Sequence, residues 1–150
     1  MNIQPVSVSL VTQSVERILR GHANFADVSV ERSGETNTDP AACPWVGIYR
    51  ADNSFPLRVL GAGGFRGQRM NLVLMAQEAD PTSGANCEDR LNGLVDKIIS
   101  VLLSDTSLGG VVHTIDEFMV RYPDYRRVDD DMYMQTALIF FTALTTVGGS

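Results

Sequence analysis

From Met132 to Val147 the chain carries no charged side chain. Read as a strand, this segment sets Leu138, Phe140 and Leu144 on one face and Ala137, Ile139, Phe141 and Ala143 on the other. A strand that is apolar on both faces needs cover on both. A small domain with a thin core finds its second cover most easily on a neighbouring subunit. That requirement closes an ordered series of helices and strands, and together they describe a small α+β domain built to assemble.

The series opens with a helix predicted from about Val6 to Arg20, with Val8, Val11, Val15, Ile18 and Leu19 on one face. Ser7 is placed to cap it, and Gly21 sits where a left-handed C-terminal residue is wanted. Ala26 to Arg32 alternates like a strand with one wet face. Ser33 to Pro44 is a long polar loop. Strands follow at Trp45–Ala51, Phe55–Leu60 and Met70–Gln77, with a glycine-rich loop from Gly61 to Arg69 before the last of them, and they read as an antiparallel meander. After a turn over Asp80 to Ala85, a second helix is predicted from Asn86, its N-cap, to Leu103. Its apolar face is Leu91, Leu94, Val95, Ile98, Val101 and Leu102, and Gly93 weakens it locally. Gly109-Gly110 then resets the chain. Val111 to Tyr122 alternates imperfectly, which predicts a bulge. Pro123 to Asp131 reads as a polar connection into the final strand, Tyr133 to Thr146, and residues 148–150 as a disordered tail. The expected fold is a single α+β domain over 1–150, an antiparallel meander flanked by two main α-helices, one on each side.

Composition narrows the function classes. The chain has 150 residues, is 44% hydrophobic and carries a net charge of −6. That size suits one domain with a real core. The acidic balance argues against a nucleic-acid binder, which needs clustered Lys and Arg, and suits a basic or neutral partner surface. No apolar run approaches the roughly 18 residues of a membrane span, and the first residues lack the basic start of a signal peptide. Cys43 and Cys87 form neither a disulfide framework nor a zinc pattern, so a reducing compartment is expected.

The candidate chemistry is sparse. His22 and His113 lack an evident nucleophile or carboxylate partner and read as structural. Cys43 and Cys87 read as inert thiols, although Cys87 lies in a helical first turn that would favour a thiolate. Trp45, Tyr122, Tyr125 and Tyr133 suit core or interface. The glycine-rich loop lacks the Gly-Lys-Ser/Thr ending of a phosphate loop, so it is either a flexible hairpin tip or an interaction loop. In the second case Phe65, Arg66, Gln68 and Arg69 supply residue types enriched at interfaces. Asp129, Asp130 and Asp131 lack calcium-loop spacing, so they read as a solvated connection or as partners for Arg66 and Arg69 of a neighbour. Arg50, Arg58, Arg66 and Arg69 concentrate in the meander, which fits either surface scatter or head-to-tail packing of identical subunits. No catalytic residue, metal site or cofactor is expected.

With this order of elements, and with Tyr125-Arg126-Arg127-Val128-Asp129-Asp130-Asp131-Met132-Tyr133-Met134-Gln135-Thr136 running into an apolar strand, the chain resembles the tail terminator proteins of long-tailed bacteriophages, also called tail completion or tail-to-head joining proteins. The resemblance covers nearly the whole chain. It implies a structural virion protein, made in the host cytoplasm, that forms a homo-oligomeric ring of typically six subunits. Such a ring binds the tail tube protein, stops tube polymerisation and presents a surface to a neck or head-completion protein. DNA passes through its lumen without specific binding, and acidic lining would let it slide. A double Arg66→Glu, Arg69→Glu change is expected to abolish tube binding. Rival readings are another neck or tail-assembly protein, such as a head-closure or minor tail protein, and a small cytoplasmic enzyme or ligand-binding α+β domain.

Overall fold

The computed structural model describes residues 7–32, 36–50, 57–60, 65–123, 126–129 and 132–147, those at 57–60, 65–68, 126–129 and 146–147 by backbone alone. The elements in order are α1 (Val8–Gly21), β1 (Ser29–Arg32), β2 (Trp45–Arg50), β3 (Leu57–Leu60), β4 (Phe65–Asp80), α2 (Gly84–Ser104), β5 (Thr114–Arg121), β6 (Arg126–Asp129) and β7 (Met132–Val147). Short 3-10 turns at Ala23–Phe25 and Pro40–Ala42 flank β1. The class is α+β, as the sequence predicts.

The sheet is not the expected meander. Its order is β1-β2-β4-β7-β5, with β3 beside β4 and β6 beside β7. β1 runs parallel to β2, and every other pairing is antiparallel. Two long strands form the spine, paired from Arg66 opposite Val147 to Asp80 opposite Tyr133. The start of β4 pairs with β3 and its later part with β2, so β2 and β3 lie in tandem along one edge. β5 and β6 lie in tandem along the outer edge of β7 in the same way.

Both helices pack on one face of this sheet, rather than one on each side. Val11, Val15 and Leu19 of α1 share a single core with Leu91, Leu94, Val95, Ile98 and Leu102 of α2. Val46 and Ile48, Leu72, Leu74 and Ala76, and Ala137, Ile139 and Phe141 supply the sheet side of that core. Phe141 stacks on Phe118 with ring centroids 5.4 Å apart. The periodicity of both helices matches the sequence reading, but their ends differ. Ser7 holds the α1 N-cap position in an extended conformation with no side-chain cap bond, and Gly21 is the last helical residue, followed by extended His22. Val6 lies outside the described residues. The α2 cap is Ser83, whose hydroxyl accepts from the Asn86 N–H at 3.1 Å, so Asn86 is inside the helix. The left-handed residues come after α2 instead, at Leu108, Gly109 and Gly110. The Asp105 carboxylate steadies that turn by accepting from the Ser107 hydroxyl and the Gly109 N–H.

Candidate interaction surface

Alternation decides which side chains the helices leave uncovered. Residues opposite one another in a ladder share a face. Tyr49, Val73, Phe140 and Met119 therefore form one row across β2, β4, β7 and β5. Gly47, Met75, Leu138 and Arg121 form the next row. None of these belongs to the buried core under the helices. Val73, Met75, Leu138 and Phe140 are half-buried, and Met119 is 51% exposed. The Arg121 guanidinium lies 5.7 Å from the Phe140 ring centroid, a cation–π contact. The second apolar face of β7, expected from the sequence, is thus real and open.

Polar groups bound the two ends of these rows. At one end β5 carries the predicted bulge, where the register slips between Asp116 and Met119. The extra residue, Glu117, sits at φ 58°, a left-handed conformation that a side chain rarely adopts. Its carboxylate reaches over β7 to the Arg69 guanidinium at 3.1 Å and accepts from the Thr142 hydroxyl at 3.3 Å. A depression of about 480 Å³ lies here, floored by Phe140 and Thr142 and walled by Glu117, Met119 and Arg121.

At the other end Trp45 is 2% exposed, with its indole N–H donating to the Glu31 carboxylate at 2.6 Å. Its ring lies over Gly47, where any Cβ would run into Trp45 and Tyr49. The segment before β2 is pinned beside it. Asn37 donates to the Gln77 side-chain oxygen at 3.1 Å, and the Gln77 amide returns a bond to the Asn37 carbonyl at 3.1 Å. Part of the long polar loop is therefore tied to the sheet, not free.

The residues proposed from sequence meet mixed outcomes. Phe65, Arg66, Gln68 and Arg69 belong to β4, not to a loop tip. The side chains of Phe65, Arg66 and Gln68 lie outside the described residues. Arg69 is engaged within its own subunit, so Arg69→Glu would set two carboxylates against each other and is not a clean probe of tube binding. The backbone of Asp129 pairs with β7 in β6, where a plain connection was expected, and Asp130 and Asp131 lie outside the described residues. His22 acts locally, its Nδ1 accepting from the Asn24 N–H at 3.2 Å. Burial pushes the Cys43 thiol up to about 12. Burial also raises Cys87, whose Sγ donates to the Glu78 carbonyl at 3.3 Å. Both effects disfavour a thiolate.

The open rows themselves escaped the sequence reading, apart from the even-numbered residues of β7. Their signal is the alternation of Tyr49, Val73 and Met75 with buried neighbours, which becomes readable only once the register is known. No protein-family model matches the chain, and no curated protein matches it.

Proposed function

We propose that this chain is a structural protein of a phage virion, a tail terminator whose subunits assemble into a ring that caps the tail tube and joins it to the neck. The observation that carries the reading is the helix-free sheet face, where Tyr49, Val73, Phe140, Met119, Met75 and Leu138 stand in two adjacent rows. A soluble monomer leaves contiguous apolar area of this kind uncovered only at a cost, and interaction surfaces are where it normally occurs. The net charge of −6 fits a lumen through which DNA slides without adhering. Capping would follow from asymmetry: one ring face matches the tube subunit and the other does not, so addition stops. Arg66 stays a candidate for the tube contact, and Arg66→Glu alone, which keeps both Arg69 and Glu117 in the chain, is the variant that probes it.

The test is native mass spectrometry across a concentration series, with negative-stain imaging of the same samples, repeated after adding tail-tube protein. A hexamer-sized species with a central hole, alone or on tubes, supports the reading. A strict monomer that neither forms rings nor caps tubes overturns it.

A further inference from the structure

On the helix side of the sheet a cleft of about 430 Å³ opens between α2 and the start of β2, lined by Asp27, Val28, Pro44, Glu78, Arg90, Gly93, Leu94 and Lys97. The four α2 residues recur at i, i+3, i+4 and i+7, so they form one wall. Glu78 lies in the cleft at only 7% exposure. Among the described residues its carboxylate has no hydrogen-bond donor and no ion pair, an unusual state for a buried charge. Arg90 attracts it only from a distance, because its guanidinium makes its direct contacts with Asp80 at 3.4 Å and with the Ala79 carbonyl at 3.4 Å. Lys97 stands at the exposed rim and forms no ion pair among the described residues. Gly93 has nothing within 4 Å of where a Cβ would stand, so the middle of α2 leaves this wall open.

We propose that this cleft is a socket for a basic side chain, an arginine or lysine presented by a partner protein. Val28, Pro44 and Leu94 offer apolar walls for the alkyl stem, and Glu78 receives the charged head at the base. Asp27 adds a second negative group at the mouth, which offsets part of the positive charge that Arg90 and Lys97 bring to the same cleft. A guanidinium would meet Glu78 through paired, charge-assisted hydrogen bonds and satisfy the oxygen atoms that the fold leaves unanswered. The alternative occupant is Lys97 itself, folded inward. The socket lies on the opposite face from the apolar rows, and it does not depend on the ring reading.

The test is a titration of the 15N-labelled chain with N-acetyl-arginine methylamide, followed by amide shifts of Val28, Gly93 and Leu94. The neutral citrulline analogue is the control. Saturable shifts with the arginine probe are expected, at least about tenfold weaker with citrulline. They should vanish in Glu78→Gln and tighten in Lys97→Met, which removes the internal competitor. Equal response to both probes, or shifts that persist in a folded Glu78→Gln variant, would overturn the socket. So would a flat titration of both the wild type and Lys97→Met. The citrulline comparison on the wild-type protein decides the matter independently of either variant.

Discussion

Glu117 holds a conformation that costs an ordinary side chain about 1 kcal/mol, and its exposed pair with Arg69 returns a similar amount at most. Glu117→Gly should therefore leave stability within about 1 kcal/mol of wild type. Glu117→Val should lose clearly more, because a β-branched residue resists positive φ. Urea unfolding followed by Trp45 fluorescence checks both, and equal losses would remove the strain argument. Glu78 and Asp80 make opposite statements about pH. Burial raises the Glu78 carboxyl above 4.5, against the pull of Arg90 and Lys97. Its contribution to stability is therefore complete below 4.5 and lost as pH rises through the folded value. Glu78→Gln should be more stable than wild type at pH 7, with the difference shrinking toward pH 4. Asp80 is lowered below 3.8, chiefly by accepting the Thr82 N–H and with help from Ser83 and Arg90. Its contribution is present above 3.8 and lost only as pH falls through the lowered value. Urea midpoints across pH 3 to 8 separate the two groups.

Helical elements were legible because their signal is local. The spacing of Val11, Val15 and Leu19, and of Leu91, Leu94, Val95, Ile98 and Leu102, sets the buried faces without reference to distant residues. Gly93 was legible as a weak point, and Gly93→Ala should stabilise α2 by about 1 kcal/mol, since nothing stands where the methyl would go. A thermal midpoint that falls would mean that the backbone there needs glycine. The ends of β4 are less legible for a physical reason. Arg66 to Arg69 has the glycine and arginine content of a loop, yet it is strand because β7 runs beside it from Leu144 to Val147. Pairing between segments so distant in sequence overrides local preference. Arg126 to Asp129 differs: its charge reads as a connection, and it becomes a strand by a short local hairpin against Met132 to Met134. The candidate site fared likewise: β7's two apolar faces were visible in the sequence, but the rows that cross four strands depend on register. The expected bulge in β5 was legible because the alternation itself fails there.

For the whole molecule, the division into one helix-covered face and one open face sets the test of assembly. Met119 is exposed enough that Met119→Glu should leave the isolated fold almost unchanged, whereas a charge buried against a neighbour without a partner is strongly unfavourable. The variant should shift the mass distribution toward monomer at concentrations where wild type assembles. Rings that form as readily as before would move the interface away from the apolar rows. The architecture of the spine carries a further consequence, one of timing. Among the described strands β7 comes last in sequence, yet it is the strand against which β4, β5 and β6 all pair. Until it arrives, β5 and β6 have no ladder to join and β4 lacks its longest partner. Such long-range closure slows folding and leaves apolar edges waiting in the meantime. Both helices and the first strands of this chain thus stay provisional while it is being made, and a ribosome stalled before Met132 would display a sticky half-sheet in search of any passing strand.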